Sequence, residues 1–120
     1  MCKKIIVYGK DFNCLELYGE FFHQNGFNAV TISNANSLLE YFKDNNTDMI
    51  VSDADVLLYE NESVLDKLKG IVDKIPILYL SDKEKADILK KVLNIKHERV
   101  IEKPVTFVKL LQSVHRELKN

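Results

Sequence analysis

The stretch Asp48-Met49-Ile50-Val51-Ser52-Asp53 decides the architecture. A Met-Ile-Val run bounded by polar residues reads as a strand buried on both faces, as in a parallel sheet. Such a strand cannot hold a carboxylate in its middle, so Asp53 belongs at its carboxyl end. Open α/β sheets place their ligands outside the carboxyl ends of their strands. Each neighbouring segment can therefore be read by what it brings toward Asp53.

Upstream, Lys3 to Tyr8 carries Ile5-Ile6-Val7-Tyr8, a β-branched and aromatic first strand. Gly9-Lys10-Asp11-Phe12-Asn13 breaks it. Cys14, Leu17, Tyr18, Phe21 and Phe22 then recur at helical spacing, which predicts a helix that ends near Asn25-Gly26. Phe27 to Ile32 is a second strand. Ser37 with Glu40 three residues later matches a capping box and opens a helix with Leu38, Leu39 and Phe42 inside, stopping at Asn45-Asn46.

Downstream, Ala54 to Asn61 reads as a loop, and Ser63 caps a helix burying Val64 or Leu65, Leu68, Ile71 and Val72. Ile75 to Leu80 is a fourth strand with Pro76 at its start, since proline cannot donate into a central ladder. Ser81-Asp82 closes it and begins a helix through about Leu93, with Ser81 able to serve as its cap. Arg99 to Glu102 is a short fifth strand. Pro104 suits the following loop or first helical turn, and Phe107, Leu110, Leu111, Val114 and Leu118 trace a last helix. Tyr8, Phe21, Phe22 and Phe107 are assigned to the core.

Five strand-helix units in 120 residues demand right-handed crossovers and one doubly wound α/β domain spanning residues 1–120. All strand ends then lie on one edge, where Gly9-Lys10-Asp11, Asp53, Ser81-Asp82 and Lys103 converge. Composition bounds the function classes. Hydrophobic residues at 46% and charged residues at 29% suit a soluble globular protein, and a net charge of −1 leaves no basic field for nucleic acid or anionic lipid. No apolar stretch approaches membrane-span length and no signal peptide leads the chain. Cys2 and Cys14 show no paired spacing, which points to a reduced, cytoplasmic setting. His23, His97 and His115 lie on different elements without metal-ligand spacing.

Over its whole length the pattern resembles the receiver domain of two-component response regulators, the CheY-like family. The residues that carry the likeness are Asp53 ending the third strand, Ser81 ending the fourth and Lys103-Pro104 ending the fifth. The resemblance implies a five-stranded parallel sheet in the order 2-1-3-4-5. It implies a phosphoryl-accepting role for Asp53, phosphoryl-binding and switch roles for Ser81 and Lys103, and a cis peptide at Pro104. It also implies a protein partner, a histidine kinase or downstream target, on the face from about Asp82 to Asn120. Members of this family are signalling modules and not enzymes in the ordinary sense.

The departures are as informative. The family's adjacent acidic pair after the first strand binds Mg²⁺; Gly9 and Lys10 stand there, and Asp11 comes one residue late. Val56-Leu57 replaces the usual Met-Pro, Asp82 follows Ser81 in place of a small residue, and Val100 takes the place of a switching aromatic. Magnesium requires octahedral oxygen ligation with one or two carboxylates. Gly9 offers no side chain and Lys10 repels the ion. Two unit charges 4 Å apart interact by roughly 4 kcal/mol at an effective dielectric of 20. No metal and no cofactor are therefore expected. The Lys10 ammonium is expected either to stand where the metal would, in a Lys10–Asp53–Lys103 cluster, or to point into solvent.

Three readings of function follow. The first is a pseudo-receiver that signals through protein contacts without Mg²⁺-dependent phosphorylation. The second is a phosphorylatable receiver with Mg²⁺, using Asp11 or Asp82 as an auxiliary metal ligand. The third is a flavodoxin-type small-molecule binder, disfavoured because its phosphate loop needs more glycine or hydroxyl residues than Gly9 to Asn13 provide.

Overall fold

The computed structural model describes residues 2–54, 66, 67, 70, 74–92, 94–96 and 99–118. Its strands are β1 (Lys4–Tyr8), β2 (Asn28–Ile32), β3 (Met49–Asp53), β4 (Ile77–Ser81) and β5 (Val100–Glu102). Its helices are α1 (Phe12–Gln24), α2 (Ala35–Asp44), α3 (Lys83–Val92) and α4 (Phe107–Leu118). All four strand pairings are parallel, and the order is β2-β1-β3-β4-β5, as the resemblance implied.

Alternation along each strand sorts the core into two layers. Ile6, Tyr8, Ile50, Ile77 and Tyr79 face one way, against Leu38 of α2 and Leu89 of α3. Ile5, Val7, Met49, Val51, Leu78 and Leu80 face the other, against Leu15 and Phe22 of α1 and Leu110 and Val114 of α4. Burying each such side chain contributes roughly 1.5–3 kcal/mol. Central strands covered on both sides are why β1, β3 and β4 read as unbroken apolar runs. Among the described residues, no helix is long and apolar enough to cross a membrane.

Several local expectations change. The buried face of α1 is Leu15, Gly19 and Phe22, with Tyr18 and Phe21 at its flank, while Leu17 is 54% exposed. Close approach to β2 fixes that face: a Cβ at Gly19 would lie 3.1 Å from Thr31 Cγ2. Phe107 is not core, because it sits at the start of α4 and is 39% exposed, its ring stacked on Phe21 at 4.3 Å. The cap of α2 is Asn34, not Ser37; its side-chain oxygen accepts from the Ser37 N–H at 2.8 Å, and Glu40 pairs with Lys43. Asparagine caps as well as serine, so the earlier residue gains an extra turn for the helix. Asp82 rather than Ser81 caps α3, accepting from the Lys85 N–H at 2.9 Å. The expected loop after Ala54, Val56-Leu57 and the Ser63-capped helix lie largely outside the described residues.

Candidate functional site

Parallel registry brings four strand ends together. Tyr8 is level with Ser52, Asp53 with Leu80, and Ser81 with Glu102. Gly9 and Asp53 are thus neighbours at the carboxyl edge, and a Cβ at Gly9 would lie 3.5 Å from Asp53 Cβ. Lys103 follows β5 directly; its backbone N–H donates to the Ser81 carbonyl at 2.8 Å, which extends the ladder and holds the residue at the same edge. The Lys103–Pro104 peptide is cis.

Lys103 Nζ donates to Asp53 Oδ2 at 3.0 Å, with the two side chains 40% and 26% exposed. At that exposure solvent screens the pair, and its stabilising contribution is about 0–1 kcal/mol. The pair is better described as a positioned charge than as a structural clamp. Ser81 is buried, and its hydroxyl donates to the Asp82 carbonyl at 2.9 Å. Asp82 is committed to capping α3, with Lys85 Nζ 3.7 Å from its other oxygen.

Lys10 is exposed and, among the described residues, makes no ion pair. Of the expected Lys10–Asp53–Lys103 cluster only the Asp53–Lys103 contact forms. A lysine in a surface loop keeps its strongly hydrated ammonium in water unless packing compels otherwise. Asp11 caps α1, its Oδ1 accepting from the N–H groups of Asn13 at 2.9 Å and Cys14 at 3.3 Å. Among the described residues no three His, Cys, Asp or Glu side chains gather as a metal site. The first-strand end thus supplies no side-chain oxygen at Gly9, a cation at Lys10 and a carboxylate at Asp11 already engaged with a helix. These residues do not fit the magnesium site that the resemblance implies.

Val100, at the fifth-strand position where the resemblance implies a switching aromatic, pairs with Tyr79 on β4. Tyr79 is buried, and that burial pushes its phenol up to about 12, opposed by the charge of Arg99. Cys14 and Tyr18 were not singled out as site residues, yet both sense the charges of Lys103 and Asp53. The available signal was the position of Cys14, three residues after a capping aspartate. The Cys14 side chain is exposed, but partial desolvation raises its thiol above the ordinary value and the neighbouring Asp11 carboxylate raises it further. Since the thiolate is the nucleophile, Cys14 should alkylate slowly at mildly alkaline pH. Asp11→Asn keeps a capping oxygen but removes the charge. In a Cys2→Ser background it should lower the thiol's pKa and speed iodoacetamide labelling of Cys14; an unchanged or slower rate contradicts this account.

No curated protein matches the sequence. The fold is similar to the chemotaxis response regulator CheY4 of Vibrio cholerae, with a TM-score of 0.80 and 15% identity, covering 98% of this chain and 100% of that one. A response regulator receiver domain protein from Clostridium thermocellum gives a TM-score of 0.81 and 18% identity over 98% of this chain and 94% of that one. The signal receiver domain of an HD domain-containing protein from Pseudomonas fluorescens gives 0.78 and 13% over 99% and 96%. The family model described as "Response regulator receiver domain" matches residues 5–115. With nearly the whole chain matched, it belongs to the receiver domain family of two-component response regulators.

Proposed function

We propose that this receiver is an atypical one, a pseudo-receiver that signals by protein–protein contact without Mg²⁺-dependent phosphorylation. The observation that carries the reading is the donor set around Asp53: a bare Gly9, an exposed Lys10, and an Asp11 held by the start of α1. Phosphoryl transfer to a carboxylate needs cations to hold the equatorial oxygens. Here Lys103 supplies one charge, already in contact with Asp53. In this reading the Asp53–Lys103 pair is a positioned pair of charges at the carboxyl edge, and the partner is a protein in the cytoplasm.

The partner surface is the face from Asp82 to Asn120, which includes α3, β5 and α4. Residues 82–120 carry ten Lys or Arg against six Asp or Glu, whereas residues 1–81 carry seven against twelve. A partner with an acidic contact surface suits that imbalance, because complementary charge steers encounter.

The competing reading is a phosphorylatable receiver that takes a phosphoryl group on Asp53 from a histidine kinase. It is favoured by the partial exposure of Asp53 and by Lys103 lying within hydrogen-bond distance of it. An amide NMR titration with Mg²⁺, followed by beryllofluoride as phosphoryl mimic, separates the two. The pseudo-receiver reading expects no saturable shifts at Asp53, Ser81 and Lys103 at millimolar Mg²⁺. Saturable shifts that spread into α4 would replace it with the phosphorylation switch.

A further inference from the structure

The opposite edge of the sheet, where the strands begin, holds a second feature independent of the Asp53 site. A cavity of about 380 Å³ is lined there by Lys3, Asp48, Pro76, Arg99, Arg116 and Glu117, among others. Lys3, Asp48, Pro76 and Arg99 each come just before a strand, and Arg116 and Glu117 belong to the last turn of α4. The volume lies within the range of small-ligand pockets, about 300–1,000 Å³.

Both acids in the lining are already engaged. Asp48 Oδ2 accepts from the Lys4 N–H at 2.8 Å. Glu117, only 11% exposed, accepts from Arg99 Nε at 2.8 Å on one oxygen and from Arg116 Nε at 3.4 Å on the other. The cations are less fully used. Arg99 engages Glu117 through Nε alone, and among the described residues its two terminal nitrogens make no hydrogen bond. Lys3 is exposed and makes no ion pair among those residues. Glu117 therefore fixes the Arg99 guanidinium while leaving its outer donors open.

We propose that this cavity binds a small oxyanion, a carboxylate or a phosphate, with the terminal nitrogens of Arg99 as principal donors and Lys3 as a second charge. The guanidinium fork matches the paired oxygens of either group. Among the described residues both lining acids are committed, so the outer nitrogens of Arg99 and the Lys3 ammonium are the charges that a guest would meet. The carbonyl end of α4 opposes an anion, since a helix C-terminus carries partial negative charge. Binding is accordingly weak, in the millimolar range, and depends on Arg99.

Two amide NMR titrations test the proposal, one with inorganic phosphate and one with citrate, each against sodium chloride at matched ionic strength. Saturable shifts are expected at Lys3, Asp48, Val100 and Leu118 with at least one anion and not with chloride. A response to phosphate alone or citrate alone identifies which oxyanion the site takes. Arg99→Gln should weaken binding by about tenfold, the loss of a charge-assisted bidentate contact. Lys3→Gln removes an exposed charge without disturbing the Glu117 pair, and should weaken binding severalfold even if the arginine variant does not fold. The proposal is overturned by absence of saturation with both anions, by the same shifts in chloride, or by unchanged affinity in Lys3→Gln.

Discussion

Replacing Gly9 and Lys10 together with aspartate is expected to raise Mg²⁺ affinity by about a thousandfold, since two new carboxylates act on a divalent ion. Even in bulk water two unit charges 4 Å apart interact by about 1 kcal/mol, so each carboxylate contributes about 2 kcal/mol to a doubly charged ion. Two of them give about 4 kcal/mol, and removing the Lys10 cation adds to that. Space permits the change. A Cβ at Gly9 meets Asp53 Cβ at 3.5 Å and Leu15 Cδ2 at 3.7 Å, ordinary contacts, and Gly9 does not occupy the left-handed region that would strain an aspartate. The new acid would stand beside Asp53, so the variant without metal should be less stable than the parent through like-charge repulsion. Added Mg²⁺ should restore that stability. Isothermal titration of parent and variant, with thermal melts with and without Mg²⁺, reads both effects. Equal Mg²⁺ affinity in the two proteins would show that Gly9 and Lys10 are not what sets the metal affinity of this edge.

Much of the fold was legible because burial on both faces leaves a simple mark: Ile5 to Tyr8, Met49 to Ser52 and Ile77 to Ser81 are strands with almost no solvent exposure. The end of β3 was legible for the same reason, since Asp53 is the first charged residue after its apolar run. The turn of α1 about its own axis was not. Cys14, Leu17, Tyr18, Phe21 and Phe22 form a convincing stripe, but it competes with Leu15 and Gly19, and contact with β2 selects the latter. Side-chain direction in the loop after β1 was equally hidden. Spacing places Lys10 near Asp53 but does not weigh a lysine's hydration against an ion pair, and water wins there. The capping role of Asp11 was readable in principle, from an aspartate standing just before an apolar helix.

The largest expected effect on stability falls on the residue that tests the orientation of α1. Phe22→Ala should destabilise the domain by about 3–5 kcal/mol, the usual cost of emptying a buried phenylalanine site. Phe22 is fully buried and meets Phe27 edge-on with ring centroids 5.9 Å apart and Phe21 at 5.5 Å. Neither neighbour can collapse freely into the space, because Phe21 also stacks on Phe107 and Phe27 also contacts the His115 ring. Leu17→Ala is the control. Leu17 belongs to the same apolar stripe in the sequence but is exposed, so its truncation should cost within about 0.5 kcal/mol. Total stability of a domain this size is about 5–15 kcal/mol, so the first variant removes a large fraction and the second almost none. Urea unfolding measures both as shifts in midpoint at constant slope. Comparable losses would mean that Leu17 is buried in solution and that α1 is rotated toward the stripe. A loss confined to Phe22 would fix the helix as described, with Cys14 and Tyr18 carried at its flank toward the Asp53–Lys103 edge.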